Sequence, residues 1–174
     1  MRVTPRTACA AVRRDFTGRH AAGFVFAHLR VVMRTETKGT WAGKRRDRIL
    51  IVDDDRDARE LIASVLAEAG YTVEVAEDGY AAIEKLGTVR PDLVLTDLRM
   101  PGLNGVDLAQ RIRAQGDLPV ILTTGAETHD LCTASEAYGA VACLTKPINL
   151  DELLWTIETA LVCRPAASSA VASA

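Results

Sequence analysis

The sequence predicts a doubly wound α/β domain, with a five-stranded parallel sheet and five helices covering its two faces. Three observations carry that prediction. Five short apolar runs of strand length recur from residue 48 onward, segments of helical periodicity separate them, and every connection is long enough for the crossover that parallel strands require.

Ile49-Leu50-Ile51-Val52 is a continuous apolar run of the kind buried on both faces of a sheet, and it stops at Asp53-Asp54-Asp55. Leu61, Ile62, Val65, Leu66 and Ala69 follow at helical spacing, and Gly70 closes that helix. Thr72 to Val75 is the second strand. Gly79 to Leu86 is a short helix with Ile83 and Leu86 inward, and Pro91 separates it from the third strand, Leu93 to Leu95. Val106 to Ala114 is a helix that offers Val106, Leu108, Ala109 and Ile112 for packing. Pro119 to Thr123 is the fourth strand, Thr128 to Tyr138 a weak helix ended by Gly139, Val141 to Leu144 the fifth strand, and Leu150 to Val162 the last helix.

A chain of 174 residues suits one ordinary domain with tails, and such a domain buries a core without disulfides or metal. The formal net charge of −2 conceals an asymmetry. Residues 1 to 48 carry twelve Lys or Arg against Asp15, Glu36 and Asp47, a net +9, and the rest of the chain carries a net −11. The division expected is a basic, mostly disordered arm over residues 1–47, a folded domain over 48–163, and a small-sided mobile tail over 164–174. Three other readings of the arm are open: Arg13-Arg14-Asp15-Phe16 as a poor twin-arginine export signal, an organelle transit peptide, or a chain that truly starts at Met33. Lys44-Arg45-Arg46-Asp47-Arg48 could touch phosphates, but without a helix-turn-helix pattern or interleaved aromatics it reads as a solvated junction rather than a nucleic-acid site. No apolar run approaches the length of a membrane span. Cys9, Cys132, Cys143 and Cys163 form no CxxC pair, so reduced, mostly buried thiols are expected.

The chemistry gathers around Asp97. The run Leu93 to Leu95 delivers this carboxylate to the point where Pro101 and Gly102 turn the chain, and ligands of open parallel sheets bind outside the C-terminal ends of the strands. Asp53 and Asp54 follow the first strand, Thr124 ends the fourth and Lys146 ends the fifth, so all five lie at one edge. Three crowded carboxylates repel one another unless a hard divalent cation neutralises them. With Mg²⁺ and Lys146 the charges cancel, and the site can receive an anionic phosphoryl group.

Val52-Asp53-Asp54, Asp97 with Met100-Pro101-Gly102, Thr124-Gly125 and Lys146-Pro147, in this order and spacing, resemble the receiver domains of two-component response regulators over residues 48 to 163. That resemblance implies a flavodoxin-like sheet of order 2-1-3-4-5. It implies that Asp97 is the phosphoacceptor, that Asp53, Asp54, the Asp97 carboxylate and the Arg99 backbone carbonyl hold Mg²⁺, that Thr124 hydrogen-bonds the phosphoryl group, and that Lys146 pairs with it. Gly125 would keep the approach of the phosphodonor clear, and the Lys146-Pro147 bond is expected to be cis. The donor implied is a histidine kinase or a histidine phosphotransfer protein. Output is expected through the face of the fourth helix, fifth strand and fifth helix, including Ala134, Ala137, Tyr138, Cys143 and Trp155. The protein is then a cytoplasmic signalling module rather than an enzyme, monomeric or dimerising on phosphorylation, with no output domain after Val162.

Two positions depart from the family pattern. Cys143 stands where an aromatic residue usually swings inward, and reads as a small buried hydrophobe. Arg99 and Ala126 occupy variable positions that influence the phosphate's lifetime. The alternatives are an Asp-nucleophile phosphatase, which wants a second acid where this chain has Arg99, a nucleotide-binding Rossmann domain, which wants a Gly-rich loop absent after Val52, and a pseudo-receiver that binds without phosphorylation.

Overall fold

The computed structural model of the protein describes residues 47–125 and 138–163. The expectations for the arm, for the helix over 128–138 and for the tail lie outside these residues, apart from Asp47 and Tyr138. Five strands and four helices alternate among the described residues: β1 (Arg48–Val52), α1 (Arg56–Glu68), β2 (Thr72–Ala76), α2 (Gly79–Val89), β3 (Leu93–Asp97), α3 (Gly105–Gln115), β4 (Val120–Thr124), β5 (Ala142–Thr145) and α4 (Leu150–Val162). All strand pairs are parallel and the sheet order is β2-β1-β3-β4-β5. The expected order is therefore the observed one.

Successive side chains of a strand point to opposite faces, so each central strand feeds two cores. Ile49, Ile51, Leu93, Leu95, Ile121 and Leu144 meet Ile62 and Leu66 of α1 and Leu153 and Ile157 of α4. On the other face Leu50, Val52, Val94 and Val120 meet Ala82 of α2 and Leu108, Ala109 and Ile112 of α3. Every residue of β3 and β4 is buried, as the unbroken apolar runs require.

The helices start on side chains that suit the task. Asp55, Asp78, Asn104 and Asn149 cap α1, α2, α3 and α4, each accepting hydrogen bonds from backbone N–H groups of the first turn. Some boundaries differ from the expected ones. The strands β4 and β5 lie one residue later than expected, which leaves Val141 outside β5 and exposed. Leu61 is 60% exposed rather than inward, because the buried stripe of α1 runs through Ile62 and Leu66 and Leu61 falls beside it.

Close backbone contacts fix the loop after β3. The Gly105 N–H donates to the Leu98 carbonyl, and a Cβ on Gly105 would stand 2.1 Å from the Asp97 carbonyl oxygen. At the start of α2, a Cβ on Gly79 would stand 2.5 Å from the Leu103 carbonyl oxygen. The loop that carries Met100 to Asn104 is thus wedged between two helix N-termini.

Gly87, within α2, has nothing among the described residues within 4 Å of an added Cβ. Gly87→Ala should stabilise the fold by about 0.5–1 kcal/mol, and Gly105→Ala should destabilise it by about 1–3 kcal/mol. Urea midpoints of the two variants check both signs.

Candidate functional site

The pleat that builds the core also builds the site. Ile51, Leu95, Ile121 and Leu144 share one core cluster, and two residues after each comes Asp53, Asp97, Thr123 and Lys146. Side chains two apart along an extended chain point the same way, so these four rise in one layer above the α1 and α4 core. Asp53 and Asp97 are buried, at 2% and 7% exposure, and Thr123 is at 2%.

Lys146 joins the two acids. Its Nζ lies 2.9 Å from Asp53 Oδ2 and 2.7 Å from Asp97 Oδ1. The other oxygens are also held: Asp53 Oδ1 accepts the Asp55 N–H at 2.9 Å, and Asp97 Oδ2 accepts the Arg99 N–H at 2.8 Å. Burial pushes the Lys146 ammonium down, but hydrogen bonds from it to Asp97 and Asp53 and the attraction of their charges outweigh burial, and its pKa is raised above the ordinary lysine value. The Lys146-Pro147 bond is cis, as expected, and the Lys146 N–H donates to the Thr124 carbonyl at 2.6 Å.

The predicted residues do not all converge. Asp54 is exposed. Thr124 is buried, but its hydroxyl donates to the Gly125 carbonyl at 3.4 Å, because its place in β4 has the opposite parity to that of Thr123. Arg99 presents its amide to Asp97, and its guanidinium reaches across the site, with Nη2 3.8 Å from where a Gly125 Cβ would be. Among the described residues no other contact confronts a side chain at Gly125. Two residues were missed. Arg59 of α1 donates a hydrogen bond to the Asp53 carbonyl, a contact foreshadowed only by an Arg in the second turn of the helix. The Thr123 hydroxyl lies 3.4 Å from Asp97 Oδ1, and the pairing of Asp97 with Thr123 in the β3–β4 register is the signal that would have found it.

The expectation of reduced thiols is corrected at Cys143, which is disulfide-bonded, whereas Cys163 is outside any disulfide. Cysteine spacing detects local pairs and is blind to partners that the fold brings together. Half-buried Cys143 packs with Leu98, Leu122, Ala140 and Val106. No helix among the described residues is long and apolar enough to cross a membrane.

Among the described residues no three His, Cys, Asp or Glu side chains form a ready-made metal cluster. The donors nevertheless fit Mg²⁺: two carboxylates already converge on a single cationic atom, Lys146 Nζ, and all the candidate ligands are hard oxygens.

A parallel sheet of this order with an acid pair and a lysine at its C-terminal edge defines a doubly wound receiver-type domain. The response regulator receiver domain family matches residues 49–158, and the chain belongs to that family. It is 42% identical over 108 residues to the response regulator MprA of Mycobacterium ulcerans (strain Agy99), covering 62% of this chain and 47% of the relative. Similarity to MprA of Mycolicibacterium vanbaalenii is 41% over 108 residues, with the same coverage. The chain thus spans about half the length of the curated relatives it matches. Among solved structures, the Francisella response regulator 1452 receiver domain aligns with a TM-score of 0.63 at 28% identity, covering 67% of this chain and 97% of that one. The chemotaxis response regulator CheY4 of Vibrio cholerae aligns with a TM-score of 0.62 at 30% identity, covering 67% and 99%.

A raised lysine pKa carries a definite sign. The ion pairs of Lys146 contribute stability in full below the ordinary lysine range and lose it as pH rises through the raised value. Lys146→Met should therefore lower the urea midpoint at neutral pH, and the gap to wild type should close in strongly alkaline solution.

Proposed function

We propose that the chain is a phosphoacceptor of a two-component or phosphorelay system, and that Asp97 receives the phosphoryl group. The observation that carries this is the double ion pair of Lys146 with Asp53 and Asp97 at the C-terminal edge of the sheet, in a chain of the receiver family. An Asp97 carboxylate oxygen forms the new P–O bond, the P–N bond of a phosphohistidine on a histidine kinase or phosphotransfer protein breaks, and the imidazole leaves with the N–P electron pair. Asp53, Asp54, Asp97 and the Arg99 carbonyl would hold Mg²⁺, which supplies positive charge against the phosphoryl oxygens. Lys146 pairs with the new phosphoryl charge, and Thr124, whose hydroxyl meets the Gly125 carbonyl without a phosphoryl group, would turn to donate to it.

The product is read by a protein partner. Its face comprises the segment between β4 and β5, with Ala134, Ala137 and Tyr138, together with Cys143 of β5 and Trp155 of α4, whose equilibrium between two arrangements the phosphoryl group shifts. Tyr138 and Trp155 are half-buried, which suits side chains that move between core and surface. In this reading residues 48–163 are the signalling unit, flanked by the basic arm and the small-sided tail. It works in the cytoplasm, alone or as a dimer formed on phosphorylation, and transmits a signal rather than turning over substrate. The phosphatase alternative is disfavoured because Arg99 stands where its second acid is required.

Incubation with Mg²⁺ and acetyl phosphate, followed by intact mass, tests the reading. Wild type should gain one hydroxylamine-labile phosphoryl group and Asp97→Asn none. A gain that survives in Asp97→Asn would place the acceptor elsewhere, and folded wild type without any gain would favour a module that binds without phosphorylation.

A further inference from the structure

Thr123 was not among the residues that the family resemblance singles out, yet it is the hydroxyl that stands in the layer of the reactive acid. It pairs with Asp97 in the β3–β4 register, and its carbonyl accepts the Leu98 N–H at 2.8 Å, which ties β4 to the loop that leaves Asp97. Its side chain is 2% exposed, and a buried hydroxyl is costly unless it donates. Two acceptors lie within reach: the Thr96 carbonyl at 3.5 Å and Asp97 Oδ1 at 3.4 Å. Both contacts are at the long end for O–H···O bonds. A hydroxyl has one proton, and the carboxylate oxygen is the stronger acceptor because it is charged.

Burial separates the donors around this acid. Lys146, with its side chain 30% exposed, and Thr123, 2% exposed, both approach Oδ1, and the Arg99 N–H holds Oδ2 from the loop. A nucleophilic oxygen must keep a lone pair for the phosphodonor. A buried hydroxyl beside Oδ1 occupies another of its lone pairs and resists turning of the carboxylate about its Cβ–Cγ bond.

We propose that Thr123 is a positioning residue for phosphoryl transfer to Asp97: its buried hydroxyl sets the rotation of the carboxylate, so that Oδ1 is aligned when a phosphodonor arrives. The proposal rests on Asp97 being the phosphoacceptor. It works through alignment of the reacting atom and not through charge, because Thr123 is neutral.

Thr123→Val keeps the β-branched shape and removes the hydroxyl, and Thr123→Ser returns it. With acetyl phosphate at saturating Mg²⁺, the phosphorylation rate of Thr123→Val should fall roughly threefold to tenfold, the range for loss of one hydrogen bond, and Thr123→Ser should recover most of the loss. Mg²⁺ affinity measured by calorimetry should be unchanged in both, and the urea midpoint of Thr123→Val should not fall. A wild-type rate in Thr123→Val overturns the proposal and leaves the hydroxyl to the Thr96 carbonyl. A loss that Thr123→Ser does not recover, or one accompanied by weaker Mg²⁺ binding, also overturns it, because displaced packing then explains the effect. No phosphoryl gain in any of the three folded proteins overturns the phosphoacceptor reading itself, and the proposal with it.

Discussion

Two buried carboxylates from different strands cannot face each other without a cation between them, and in this protein Lys146 is that cation. Its Nζ lies within 3 Å of an oxygen of Asp53 and of Asp97, and the remaining oxygen of each acid is occupied by a backbone N–H from the loop that follows it. Removing the ammonium would leave two charges facing backbone N–H groups and the Thr123 hydroxyl, none of which carries a full positive charge. The Lys146 chain position is in turn set by a backbone hydrogen bond to Thr124, so the site depends on how β4 and β5 end.

The same pairing explains how a rigid core serves a reactive edge. The side chains below the site, Ile51, Leu95, Ile121 and Leu144, are at most 3% exposed, and they fix the heights from which Asp53, Asp97, Thr123 and Lys146 rise. The loop after β3 adds the second constraint. Gly105 lets α3 begin directly against the Asp97 carbonyl, and the tight approach leaves that carbonyl no room to move toward the helix. Position is thus imposed on Asp97 from below by the sheet and from the side by a helix.

Much of this was legible in the residues. Unbroken apolar runs announced the buried strands, and their alternation with helical segments pointed to a doubly wound parallel sheet, whereas the strand order that the hydrogen-bonded sheet displays was implied by the resemblance to receiver domains. Periodicity was less informative for Leu61, since an apolar residue beside a stripe looks the same in sequence as one inside it. At the site, the acid pair and the lysine were legible because motif spacing placed them at strand ends. Thr123 was not, because one residue of strand register decides whether it or Thr124 faces Asp97, and β4 lies one residue later than expected. The disulfide of Cys143 escaped because no CxxC spacing marks a pair in this chain. Contacts across strands are set by pleat and register, and a linear motif records neither.

Lys146 occupies the acids that a divalent cation would share. Calorimetric titration of Mg²⁺ into wild type and Lys146→Met tests it without requiring phosphoryl transfer. Tighter Mg²⁺ binding by the variant is the predicted result, since the competing ammonium is gone and the carboxylates keep their places in the sheet. Equal or weaker binding by a folded variant would contradict the account and show that Lys146 and the metal do not compete for Asp53 and Asp97.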